Sequence, residues 1–281
     1  MKFNVFAEMA YVIRSQSTIL YNVHASDSGN QHVISESFSV EPPLEAVELF
    51  SAGIENRFVR VCIAEPGKMS IKYVAEVENS YVQIDLISDA EISVEGLDAS
   101  ILPYLYPSRY CQSDKLYRFA QHNFGSIKGS YAKATAVTIW IFTNVKYTGR
   151  FTTSSTSAYD TVTELVGVCR DFAHLGIALC RALSIPARYF TAYAINLKPG
   201  DIHACFEAYL FGEWVLFDPT FLVPLNGMVK IGTGRDAADA SVATMFGDMN
   251  FTAMKVDCQV ADPDFQPLPA GCLVNAMMTY S

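Results

Sequence analysis

The chain has 281 residues, 51% of them hydrophobic and 17% charged. That is ample length for one large domain or two ordinary ones, and the composition excludes a disordered protein. The net charge is −9 and no Lys/Arg cluster interrupts the acidic balance, which argues against a nucleic-acid partner.

Residues 1–98 read as β. Residues 5–23 mix β-branched and aromatic side chains with polar ones, and residues 33–40 alternate in part. Phe58-Val59-Arg60-Val61-Cys62-Ile63 reads as a strand and Glu65-Pro66-Gly67-Lys68 as a turn. Residues 69–77 then alternate, with Ile71, Tyr73, Ala75 and Val77 on one face. This predicts a hairpin within an antiparallel sandwich. Prolines and tyrosines in 97–107 mark a linker. A helix is expected from Ser113 with a Ser or Asp cap, and a more apolar one over 131–146. Residues 151–158 are a polar loop, and a short helix over 159–165 leads to Gly167. From Cys169 to Leu183 the apolar spacing is helical and dense, so this helix is expected to be buried. Ser184-Ile185-Pro186 ends it. Residues 187–195, 203–210 and 214–217 read as strands, with a tight turn at Phe211-Gly212-Glu213. Residues 224–281 read as irregular.

Cys169, His203 and Asp218 carry the chemistry. A cysteine at a helix start gains from free N–H groups and the helix dipole, which favour thiolate over thiol. Period two puts His203 and Cys205 on one strand face. Asp218, after the next turn, can stand beside His203. Cys, His and Asp are what thiol acyl transfer needs: a nucleophile, a proton carrier and a group that orients it. A Cys169–His203–Asp218 zinc site has no recognised ligand spacing to support it.

The stretch Gly167-Val168-Cys169-Arg170-Asp171-Phe172-Ala173 resembles the bacterial transglutaminase-like, papain-related cysteine protease family. So do Cys180-Arg181-Ala182-Leu183-Ser184-Ile185-Pro186-Ala187-Arg188-Tyr189, then His203-Ala204, Glu207, Trp214, Asp218-Pro219-Thr220, and Gly234-Arg235-Asp236-Ala237-Ala238-Asp239. The β-rich first third is similar to the amino-terminal domain that often precedes this core. The resemblance implies an α+β fold: an antiparallel β-sandwich over 1–98, then a papain-like core over 99–281 whose nucleophile helix packs on an antiparallel sheet. It implies Cys169 as nucleophile, His203 as base and Asp218 as its orienter. One departure stands out, because the family commonly has an aromatic two residues after the histidine and this chain has Cys205. That smaller thiol would widen the pocket or sit near it.

Other features take plainer readings. Cys62, Cys111, Cys180, Cys258 and Cys272 read as packing thiols. His174 reads as a packed or carbonyl-bonded histidine, and Arg170 with Asp171 as fixing the helix start. Tyr189 and Tyr193 read as sheet packing, with either able to line the cleft. Gly232-Thr233-Gly234-Arg235-Asp236-Ala237 matches a dinucleotide fingerprint, but outside a parallel βαβ unit it is a glycine turn. No apolar run reaches transmembrane length, and Met1–Glu8 lacks a secretory signal's apolar stretch. Seven scattered cysteines, without a C-x-x-C pair, fit free thiols in the cytoplasm. The expected activity is hydrolysis of a peptide or protein amide through a thioester, with no cofactor, metal, nucleic acid or membrane. Transamidation and an idle binding module are the alternatives.

Overall fold

The computed structural model describes residues 1–49, 55–85, 91, 93–268 and 276–279. The chain begins with β1 (Lys2–Ile13), β2 (Ser17–Tyr21), β3 (Gln31–Glu41), β4 (Ala46–Leu49), β5 (Phe58–Ile63) and β6 (Gly67–Asn79). Two sheets result, one containing β1, β6 and β3, the other β2, β5 and β4. Alternation in β1 turns Phe3, Val5, Ala7, Met9, Tyr11 and Ile13 inward. They meet Ile71, Tyr73 and Val77 of β6 and Val59 and Val61 of β5 in one apolar core.

The expected β5–β6 hairpin does not form. β5 and β6 lie in different sheets, so the Glu65–Lys68 connection crosses the sandwich. Both strands bury one face in the same core, and crossing over it does this from opposite sides.

β7 (Val82–Asp85) follows, then two 3-10 turns at Val94–Gly96 and Leu102–Leu105. The segment read as a linker is a packed strap. Tyr104 meets the Trp214 ring edge-on at 5.0 Å, and the Tyr106 carbonyl accepts a hydrogen bond from Arg181.

The helices are α1 (Ser113–Phe124), α2 (Ser130–Asn144), α3 (Ala158–Glu164) and α4 (Cys169–Ala182). Ser113 is already helical, and the α1 cap position is Gln112, without a side-chain cap bond. β8 (Lys146–Tyr147) and β9 (Val166–Gly167) pair in parallel across the α3 excursion. α4 is buried along nearly its whole length, its apolar residues in the core and its polar Asp171, His174 and Arg181 each held by hydrogen bonds. It packs on β10 (Ala187–Ala194) and β11 (His203–Leu210), which continue into β12 (Glu213–Phe217). β13 (Met228–Gly234) completes an antiparallel sheet of order β12-β11-β10-β13. Phe211 and Gly212 both have positive φ, +56° and +89°, giving the two-residue turn between β11 and β12.

The irregular reading of 224–281 is corrected. Beyond β13 come β14 (Ala243–Phe246), β15 (Met249–Val260) and β16 (Ala276–Thr279). β14 pairs with β2 and β15 with β1, so the chain returns to finish both sandwich sheets. Val229 and Ile231 of β13, with Tyr193 of β10, also enter the sandwich core. Tyr193 donates from its hydroxyl to the Val23 carbonyl at 2.6 Å, and Asn56 brackets Thr233 through its backbone N–H and carbonyl. Cys272 lies outside the described residues.

Candidate active site

Cys169 opens α4 after an extended Val168. Asp171, in the first turn, accepts the Val168 N–H at 2.9 Å. The same carboxylate takes the Thr152 hydroxyl at 2.6 Å. Arg170 bonds Asp171, the Thr152 hydroxyl and the Thr153 carbonyl. The polar loop thus fastens the turn that presents Cys169, which is 9% exposed. Gly167 permits the approach, since a Cβ there would stand 2.7 Å from the Asp171 Cβ.

His203 starts β11 and Asp218 is the first residue past β12. Asp218 Oδ1 accepts the Thr220 N–H at 2.9 Å and the Thr220 hydroxyl at 2.7 Å. Its Oδ2 is left for His203 Nε2, 2.9 Å away. Both side chains are fully buried. Among the described residues, His203 Nδ1 has no hydrogen-bond partner of good geometry. Burial alone would lower the His203 pKa, but the Asp218 charge and hydrogen bond, with the Cys169 sulfur, outweigh it and raise it to about 10. The cysteine, the histidine and the aspartate therefore meet in one place.

Cys169 and His203 line a cleft of about 330 Å³ with Tyr189, Thr191, Asp201 and Ala237. Met254 of β15 and Ala243 of β14 form part of its wall, so the sandwich borders the cleft directly. Cys205 is fully buried, and its thiol points at the Met228 sulfur, 3.7 Å away. It does not line the cleft, which corrects the expectation that it widens the pocket. The two tyrosines divide: Tyr189 lines the cleft and Tyr193 faces the sandwich.

His174 is sandwiched between Tyr110 and Tyr189, at 4.9 and 5.1 Å between ring centroids. Burial, and then Arg170 and Arg181, hold its pKa well below the usual histidine value. The neutral ring accepts the Ala237 N–H at Nε2, at 3.1 Å, rather than bonding a carbonyl. That bond fixes the wall segment after β13. The glycines of the apparent dinucleotide motif lie within β13, which corrects the glycine-turn reading, and serve close packing: a Cβ at Gly232 would strike Asn56, and one at Gly234 would strike Asp239. Among the described residues, no group of three His, Cys, Asp or Glu side chains is disposed to hold a metal ion.

The roles of three site residues escaped the sequence reading. Tyr147 is brought beside Cys169 by the β8–β9 pairing. Burial and then the Cys169 sulfur raise its phenol pKa, and its hydroxyl faces both the backbone and the sulfur of Cys169. Thr220 holds Asp218, for which the Asp-Pro-Thr triplet was a signal. Asp201 stands at the cleft, two residues before His203 and outside β11, with no motif to mark it.

Comparison with known proteins agrees with this architecture. Residues 1–100 match the bacterial transglutaminase N-terminal domain, and residues 118–219 match the transglutaminase-like superfamily. A crystal structure from Cytophaga hutchinsonii, described as that of a candidate cysteine protease, is 50% identical and superposes with a TM-score of 0.96, covering 100% of this chain and 98% of that one. An uncharacterised Mycobacterium leprae protein is 32% identical over 111 residues, which cover 36% of this chain and 39% of that protein. An uncharacterised Mycobacterium tuberculosis protein is 35% identical over 115 residues, 35% of this chain and 36% of that protein. The matched region thus spans well under half the length of these curated relatives.

Proposed function

This chain belongs to the transglutaminase-like superfamily, and from that premise we propose that it is a thiol-dependent acyl-transfer enzyme, a cysteine peptidase or amidase acting on a peptide or isopeptide-type amide. The observation that carries this reading is the buried His203–Asp218 pair, whose second ring nitrogen is free beside a cysteine at a helix N-terminus. Asp218 fixes the ring through Nε2 and leaves Nδ1 for proton transfer. Cys169 gives its thiol proton to His203 Nδ1, and the sulfur attacks the amide carbon. The resulting oxyanion is received by the Cys169 N–H and the Tyr147 hydroxyl, the second donor in our assignment. Protonated His203 then gives its proton to the leaving nitrogen, the C–N bond breaks, and a thioester remains. Water, deprotonated by His203, attacks the thioester, releases the acid and restores the thiol.

The Cytophaga hutchinsonii relative supports cysteine-protease chemistry over transamidation. Hydrolysis predicts no incorporation of a labelled amine into a glutamine peptide. The six described cysteines are free thiols, which supports the reducing cytoplasm as the place of action.

The test is the pH dependence of iodoacetamide labelling at Cys169, read by mass spectrometry. The other cysteines and His203→Ala provide the comparison. An unperturbed thiol titrates near ~8.5. We expect Cys169 to label fast well below that pH, and to lose this in His203→Ala. Labelling of Cys169 no faster than the remaining cysteines would overturn the proposal.

A further inference from the structure

The cleft has an unbalanced charge. Asp201 is the sole carboxylate among its lining residues, and it is exposed at the rim. Its Oδ1 accepts the adjacent Ile202 N–H at 2.7 Å, and no Lys or Arg among the described residues pairs with it. The two cations nearby are committed elsewhere. Arg170 is bound to Asp171 and to the Thr152–Thr153 loop, and His203 gives its Nε2 to Asp218. The carboxylate therefore shares the cleft with Cys169 and has no ion-pair partner among the described residues. Burial pushes its pKa up, and the Ile202 N–H bond and then the His203 charge offset this only in part. Its field is felt at the Tyr147 hydroxyl, which itself faces Cys169.

The backbone just before Asp201 packs closely on β15. A Cβ at Gly200 would collide with the Val256 carbonyl oxygen of β15. The sandwich thus holds the carboxylate at the cleft from behind.

We propose that Asp201 is the specificity-determining residue of this cleft, and that the substrate it selects carries a cationic amine beside the scissile amide, as a lysyl residue does. This rests on Cys169 being the reactive nucleophile. A substrate ammonium here would supply the missing counter-ion, while an acidic group would meet a like charge at the cleft rim.

The test uses small thiol reagents of one chemistry and three charges: the aminoethyl, methyl and sulfonatoethyl methanethiosulfonates. Their rates at Cys169 are measured by mass spectrometry in the intact protein, in Asp201→Asn and in Asp201→Glu. The ratio of cationic to anionic rates is expected to fall at least about fivefold in Asp201→Asn, the scale of one local charge at a partly desolvated site. Asp201→Glu should keep most of the ratio, which separates charge from shape. An unchanged ratio in Asp201→Asn, with the neutral reagent still fast, would overturn the Asp201 assignment alone. A neutral reagent that labels Cys169 no faster than the buried cysteines would sink the nucleophile reading, and this proposal with it.

Discussion

At the scale of single residues, the site depends on how one carboxylate divides its two oxygens. Thr220 occupies Oδ1 of Asp218, so Oδ2 has one partner and the His203 ring one orientation. Asp218→Asn keeps the volume but offers its N–H₂ where an acceptor is needed, and the ring loses its tautomer. We expect kcat/KM to fall by roughly 10⁴-fold with the fold intact, measured on any amide the enzyme turns over. Tyr147→Phe removes one oxyanion donor, and kcat should drop by about 10²- to 10³-fold with little change in KM. The His203 charge also couples to stability. Its pKa is raised in the fold, to about 10, against ~6.5 in the unfolded chain. A group raised on folding stabilises in full below its unfolded pKa, and that stability is lost as pH rises through the folded value. The urea midpoint should therefore fall between pH 7 and 10 by more in the wild type than in His203→Ala. Equal slopes in the two proteins would refute the raised value.

At the scale of elements, α4 holds its place because nothing separates it from β11. Gly176 faces the Phe206 ring, and an added Cβ would stand 2.5 Å from a ring carbon. Phe206 cannot step aside, being fully buried and stacked on Phe217 at 5.3 Å between centroids. Alanine at a helix interior normally gains about 1 kcal/mol over glycine. Overpacking a core costs about 1–3 kcal/mol, so the clash should win. Gly176→Ala is expected to lower the unfolding free energy by up to about 2 kcal/mol in urea titration. A stabilised variant would mean that the helix and strand can separate at little cost. At the other end of α4, Arg181 sends hydrogen bonds to the carbonyls of Ala187, Tyr106 and Arg235. The strap, the helix end and the end of β13 are thereby tied by one side chain.

At the scale of the whole molecule, the sandwich is part of the site's construction. β14 and β15 pair with β2 and β1, and Ala243 and Met254 on them border the cleft. Tyr193, Val229 and Ile231 leave the core sheet to pack inside the sandwich. A fragment of residues 101–281 would expose that face and leave β14 and β15 without partners, a template for edge-to-edge aggregation. We expect it to aggregate or to bind hydrophobic dyes on expression. A monomeric, cooperatively unfolding fragment would show the two parts to be independent.

Much of this protein was determined by local chemistry that a sequence displays. α4 was legible because its apolar spacing is unbroken, and β11 because the Phe211-Gly212 turn marks its end. Cys169, His203 and Asp218 were legible because each sits at the end of such an element, in a motif with family likeness. What only the tertiary structure decided were the contacts between segments far apart in the chain. Strand alternation tells which face is buried but not which strand lies alongside, so β5 and β6 read as a hairpin when they face each other across the core. Residues 254–260 do alternate, Met254, Val256, Cys258 and Val260 against Lys255, Asp257 and Gln259, but that pattern does not tell that β15 returns to pair with β1 at the other end of the chain. Tyr147 and Asp201 carry no pattern of their own, because their position depends on β8 meeting β9 and on β15 bracing Gly200. The chemical groups of the site were thus written locally, while its walls and the charge at its rim came from long-range packing.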